Sequence, residues 1–307
     1  MKTGHPRLLH GILLIMLAVF LFSSMDTLAK YMLRSYPLAP LIWARYVVHF
    51  AFMIALLAPR LGLALVRTER PLIQTLRGVA LVGSTGFFYL ALTYLPLAEA
   101  AAIGFVAPVL VASLSGPVLG ERVTRRQWLA VALGFLGVLV IIRPGGALVS
   151  FAVVFPLMSA FLFATYQIMT RKLAGRESPF TSLFYTALVG SVLTTLAVPF
   201  SWQTPTLPQL GIMIAIGGLG GFGHFLMIQA VERASPSALA PFVYTQLVWS
   251  TLLAWLAFSE FPDPGSLLGM LVIAGAGLLS INWKQVLAGS RVEKTQSVAL
   301  SAHRKET

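Results

Sequence analysis

Apolar runs broken by short polar or proline-bearing stretches recur along the whole 307-residue chain. They fall at residues 8–29, 39–58, 74–95, 97–118, 127–142, 148–170, 179–200, 208–230, 236–258 and 265–283. A hydrocarbon core about 30 Å thick is crossed by roughly 20 apolar residues in an α-helix, so the pattern predicts ten membrane-spanning helices with short connections. The fifth run is short, and the third and fourth are parted by little more than Pro96. Proline supplies the punctuation. Pro37, Pro40, Pro71, Pro144, Pro179, Pro208, Pro236 and Pro264 stand at or near the ends of runs, where a missing amide hydrogen costs least.

Composition sets the solvent. Hydrophobic residues make up 57% of the chain and charged residues 10%, with a mean hydropathy of +0.84. A water-soluble globule could not carry that surface without aggregating, so the expected class is an all-α integral membrane protein with no separate soluble domain. Cysteine is absent, which excludes a disulfide framework and any thiolate metal or redox site. No cofactor is expected.

Charge then orients the bundle. The formal charge of +12 could suggest nucleic acid as a partner, but the basic residues lie in short loops and form no patch interleaved with aromatic residues. With ten crossings both termini share one side. Eighteen Lys and Arg residues, from Lys2 and Arg7 through Arg77 and Arg171 to Lys305, then fall on that side. Only Lys30, Arg34 and Arg143 lie opposite, and Arg45 sits within a run. The positive-inside rule places both termini in the cytoplasm of a cell whose inner membrane the chain spans. The run after Lys2 and Arg7 lacks a small-x-small cleavage site and reads as a retained first helix. Residues 284–307 are polar and mixed in charge and read as a cytoplasmic tail.

The chain also matches itself at a shift of about 140 residues, the kind of internal repeat that precedes any motif argument. Phe20-Leu21-Phe22 pairs with Phe161-Leu162-Phe163, placing Asp26 opposite Gln167 and Lys30 opposite Arg171. Ala91 pairs with Ala230, Gly120-Glu121 with Ser259-Glu260 and Gly137 with Gly277. The halves, 8–144 and 148–283, hold five runs each, an odd number, so they enter the membrane in opposite directions. Inverted repeats of this kind are a signature of transporters working by alternating access.

The motifs Pro40-Leu41-Ile42-Trp43-Ala44-Arg45, Phe88-Tyr89-Leu90-Ala91-Leu92, Ala107-Pro108-Val109 with Leu119-Gly120-Glu121-Arg122, and Gly134-Phe135-Leu136-Gly137-Val138 with Arg143-Pro144 carry a resemblance to a known family. The chain resembles the drug/metabolite transporter superfamily, in particular proteins built from two EamA-type domains of five helices. The resemblance covers residues 8–283 and implies a secondary transporter of a small organic solute such as an amino acid, an amine, or a vitamin-like or nucleoside-like compound. Ser24 to Lys30 is similar to the first helix of members that take up riboflavin or S-adenosylmethionine. Leu247 stands where Pro108 does in the first half, which predicts a departure from exact symmetry there.

Ionisable groups inside membrane helices are costly and therefore informative. Asp26, Arg45, His49, Glu99 and His224 lie within the apolar runs. Arg45 suits a substrate carboxylate or phosphate-like group, and a carboxylate suits an amine or a proton; a structural Asp26–Arg45 pair is the alternative. His49 follows Arg45 by four residues and shares its helix face, where it could serve proton coupling or packing. His224 lies among Gly217, Gly218, Gly220, Gly221 and Gly223, small residues that let helices approach closely or let a ligand reach the backbone. Tyr89, Tyr166, Gln167, Tyr244, Gln246 and Trp249 could enclose a flat or zwitterionic solute.

No HExxH, GxSxG or P-loop motif occurs, and the glycine run around His224 lacks the Lys-Ser/Thr that a phosphate loop requires. An intramembrane enzyme with an Asp/His site and a passive channel remain as alternatives to a transporter. The sequence shows no nucleotide-binding motif, which leaves proton coupling, solute exchange or facilitated diffusion.

Overall fold

A computed structural model describes residues 4–119, 125–142, 151–173, 175–234 and 236–280. The expectations attached to Glu121, Arg122, Arg143, Pro144 and the 284–307 tail lie outside the described residues. Lipid offers the backbone no hydrogen-bond partners, so apolar runs of this length satisfy their amides internally as helices. All regular structure among the described residues is helical.

The first half contributes α1 (Gly4–Leu33), α2 (Leu38–Leu61), α3 (Pro71–Leu92), α4 (Leu97–Gly104), α5 (Ala107–Leu119) and α6 (Arg125–Ile142). The second contributes α7 (Val154–Leu173), α8 (Pro179–Ala197), α9 (Leu207–Val231), α10 (Pro236–Val243), α11 (Thr245–Phe258) and α12 (Pro264–Ser280). Seven stretches are long and apolar enough to cross a membrane by themselves. The shorter apolar helices Leu97–Val111, Trp128–Ile142 and Pro264–Leu279 bring the crossings to ten. Local sequence sets several starts: Pro71 and Pro179 lead their helices, and Thr206 with Gln209 closes a capping box on α9.

Loop contacts sort the connections into two faces. Where α1 ends, the Tyr36 hydroxyl donates to the Gln203 carbonyl, and Lys30 Nζ donates to the Leu95 carbonyl at 3.0 Å. These contacts gather the α1–α2, α3–α4 and α8–α9 connections on one side. On the other, Glu177 Oε1 accepts from Thr68 Oγ1 and from the Glu69 amide, each at 2.8 Å, which joins the α2–α3 and α7–α8 connections. An alternating ten-crossing path requires this grouping.

Helix packing follows the repeat. Helix α1 packs on α9 and α11, and its counterpart α7 packs on α3 and α5. Likewise α2 packs on α9 while α8 packs on α3, and the pairs α2–α8 and α6–α12 join equivalent helices of the two halves. Close approach depends on missing side chains at a few points. A Cβ on Gly190 would lie 2.1 Å from Tyr46 Cδ1, and one on Gly217 would lie 2.4 Å from Val48 Cβ. The glycines around His224 thus serve packing at Gly217, Gly221 and Gly223, whereas Gly218 has open space.

The fourth and ninth runs, expected to be continuous, are each broken in two. Pro108 has no amide to donate to Gly104 and disfavours helical geometry at Ala107. The chain turns through Phe105 and Val106, whose amides fall back on Ala101, Ala102 and Ile103 at 3.0–3.1 Å. Leu247 at the equivalent of Pro108 predicts asymmetry, yet α10 and α11 part at Tyr244 all the same. Pro241, three residues upstream, lies inside α10 and removes the amide that would donate to Ser237. The two breaks meet: Phe105 and Tyr244, equivalent at a shift of 139 residues, pack with ring centroids 5.3 Å apart and their planes tilted by 44°.

Candidate functional site

Helices α1, α2, α3 and α9 bring charged residues of both signs together inside the bundle. Arg45, half-buried on α2, donates from Nη1 to the Tyr89 hydroxyl of α3 at 3.3 Å. Its guanidinium lies 5.5 Å from the Tyr89 ring centroid and 5.8 Å from that of Tyr46. Tyr46 is fixed in turn by a 2.9 Å hydrogen bond between its hydroxyl and Thr85 Oγ1. Asp26 is buried on α1 within electrostatic reach of Arg45. The two are not in direct contact, because among the described residues Arg45 has no carboxylate within 4.0 Å.

One turn along α2 from Arg45, His49 stacks in parallel on His224 of α9, with centroids 5.7 Å apart and 6° between the ring planes. His49 Nε2 is buried without a hydrogen-bond partner. Phe22 of α1 closes on His224 at 4.9 Å. The four-residue spacing of Arg45 and His49 therefore puts both on the face of α2 that meets α9 and α3. Asp26, Arg45, His49, Tyr89 and His224 form one cluster.

The remaining candidates lie apart from it. Tyr166 of α7 sits under the guanidinium of Arg77, 4.9 Å from its ring centroid, and Gln167 is exposed. Tyr244 stands at the break before α11 with its hydroxyl buried and unpartnered, its ring against Gly277. The Gln246 carbonyl accepts from Ser23 Oγ at 3.4 Å, tying α11 to α1. Trp249 meets Phe20 edge-on at 5.0 Å, beside a shallow apolar hollow lined by Met16 and Leu17. Glu99 opens α4 near the face where α1 ends and is buried, with Oε2 unpartnered.

Two groups escaped the sequence reading. Arg77, counted there as a loop charge, is 2% exposed on α3 and donates to the Ser182 carbonyl at 2.6 Å and to Thr186 Oγ1. Its position inside the run 74–95 was the available signal. Lys30, also counted as a loop charge, is buried in the last turn of α1 and pairs with Glu260 at 2.6 Å. The repeat held a hint, since it singles out Lys30 and Glu260 as positions with counterparts in the other half.

A ten-crossing helical bundle whose halves exchange equivalent contacts around a buried charged cluster belongs to the class of membrane solute transporters. The chain belongs to the EamA-like transporter family, whose model matches residues 9–143 and 150–282. It is a multi-pass membrane protein and a transporter of small organic metabolites. It is 29% identical over 288 residues to an S-adenosylmethionine uptake transporter of Rickettsia prowazekii, covering 92% of this chain and 95% of the relative. To a pseudopaline exporter of Pseudomonas aeruginosa it is 30% identical over 271 residues, covering 87% and 94%. A riboflavin transporter of Rhizobium johnstonii is 28% identical over 275 residues, with coverage of 89% and 91%. A solved crystal structure shares the fold, with a TM-score of 0.65 at 22% identity over 88% of this chain and 96% of the other.

Proposed function

We propose that the chain is a secondary transporter of the inner membrane, with cytoplasmic termini, that binds a zwitterionic metabolite between Arg45 and Asp26. One observation carries this reading. Arg45 brings five N–H donors into an apolar bundle, yet among the described residues its one hydrogen bond is to Tyr89. Its donors are not used on Asp26, whose carboxylate has no hydrogen bond among the described residues. A guanidinium and a carboxylate held near each other without closing leave room for a solute bearing a carboxylate and a cation.

That chemistry separates the solutes of the relatives. S-adenosylmethionine carries a carboxylate, an ammonium and a sulfonium, whereas riboflavin carries no net charge. The inferred solute is amino-acid-like, and the likeness to the rickettsial uptake proteins supports it. Asp26 holds the cationic end and Arg45 the carboxylate, with Tyr89 keeping the guanidinium in plane. The cycle is driven by solute exchange or by protons; the stacked pair His49 and His224 is where a proton would act, and counterflow with and without a pH gradient distinguishes the two.

The test is a thermal-shift screen of the purified protein with amino acids, S-adenosylmethionine and riboflavin, because a ligand of the folded state stabilises it by mass action. S-adenosylmethionine or another amino-acid-bearing solute is expected to raise the unfolding midpoint. Arg45→Ala and Arg45→Lys should each weaken binding by about tenfold or more, since Lys keeps the charge but loses the planar fork. Arg60→Ala, at an exposed position, should leave binding unchanged. Stabilisation by riboflavin alone, or Arg45→Ala protein with unaltered affinity, would overturn the assignment.

A further inference from the structure

The face where α1 ends is closed by an ion pair that crosses between the halves. Lys30 Nζ lies 2.6 Å from Glu260 Oε2 and 3.0 Å from the Leu95 carbonyl. A single ammonium thus joins the end of α1, the α3–α4 turn and the connection after α11. Glu260 is aimed by its neighbour: Ser259 adopts the left-handed conformation at φ 58°, ending α11 and turning the chain back over the bundle. Just outside the pair lies an open cavity of about 300 Å³, lined among others by Arg34, Tyr94, Pro96 and Glu260. Inward along the same face of α1 come Thr27 and Ser23, the latter bonded to Ser250 of α11 at 3.1 Å.

We propose that Lys30 and Glu260 form the gate of the transport path on the membrane face opposite the N-terminus, and that Glu99 takes over Lys30 when the gate opens. The gate serves the central site proposed above. The pair is placed for this because its partners belong to different halves, so any movement of α11 away from α1 must break it. It is also built to break. The Glu260 side chain is 31% exposed against 8% for Lys30, so separation lets water reach the carboxylate at once and the cost stays well below that of a sealed pair. The ammonium is the group that cannot be left alone. Glu99, on α4 of the same half as Lys30, lies within its electrostatic reach and holds an oxygen with no hydrogen-bond partner. Its side chain is also bonded to Ser266 of α12, so the unpartnered oxygen is the one free to receive the ammonium when Glu260 leaves.

The chain has no cysteine, so a single Thr27→Cys substitution reports access past the gate. Reaction with a membrane-impermeant methanethiosulfonate, applied from the face opposite the N-terminus in oriented vesicles, requires no knowledge of the solute. Adding Glu260→Gln should speed labelling of Thr27→Cys by about tenfold. The paired reversal Lys30→Glu with Glu260→Lys should restore slow labelling. Glu99→Gln should act in the opposite direction and slow labelling, a sign that a merely structural role would not produce. Should Glu260→Gln protein fail to fold, Glu260→Asp, which keeps the charge but shortens the reach, is expected to give a smaller increase of roughly two- to fivefold. Labelling rates equal to the parent in the Glu260 variants would overturn the gate, and an unchanged rate in Glu99→Gln would overturn the handover. Neither result bears on solute binding at Arg45, which the thermal-shift screen reads separately.

Discussion

Arg45 and Arg77 are both guanidiniums on membrane helices, and they use their donors in opposite ways. Arg77 commits Nη2 to Ser182 and Thr186 and lies over the Tyr166 ring, with its buried Nε unpartnered, whereas Arg45 has one bond, to Tyr89. The first arrangement holds helices together, and the second leaves donors for the solute in the binding mode proposed above. Arg77→Met should therefore lower the unfolding free energy by about 2 kcal/mol, the scale of hydrogen bonds to a charged group, and leave solute affinity within about twofold. Tyr89→Phe should do the reverse, weakening solute binding by about tenfold through loss of one charge-assisted bond while shifting the thermal midpoint little. Measuring melting and binding on both variants checks the division. Arg45 was legible in the sequence because it stands alone inside an apolar run. Arg77 was not, although it too lies inside one, because it is near a run's start and could be taken for one more charge on the basic side.

At the scale of helices, the runs were readable because lipid forces backbone polar groups into internal hydrogen bonds. The breaks within the fourth and ninth crossings were not. A proline inside an apolar run is compatible with a kinked continuous helix, and only the switch from the i−4 to the i−3 carbonyl, Phe105 sharing Ala101 and Ala102 and Val106 taking Ile103, shows that the helix ends. Which glycines carry packing was equally hidden, since that depends on the neighbouring helix. Gly190 lies under the Tyr46 ring and Gly218 faces open space. Gly190→Ala should destabilise by about 1–3 kcal/mol through overpacking, and by shifting Tyr46 it should also reduce solute affinity. Gly218→Ala should be neutral or slightly stabilising. Thermal unfolding of the two purified variants, side by side, is the comparison that decides.

For the molecule as a whole, the halves interact through matched surfaces, and the sequence repeat at about 140 residues foreshadowed this pairing because equivalent helices had to present equivalent faces. What the repeat could not give was where the matched surfaces touch. If each half is complete in its own crossings, residues 1–147 and 148–307 expressed as two chains should co-purify and recover a measurable fraction of the transport of the intact protein, while either alone should recover none; failure to co-purify would show that the covalent link is needed for assembly. The contact of Phe105 with Tyr244 carries this idea down to a single pair of rings. Two like five-helix units lying antiparallel in one membrane would meet in this way, each contributing the equivalent ring to the seam. Joined in one chain, the two units are free to differ, and at this seam they do: one half brings a phenylalanine and the other a tyrosine.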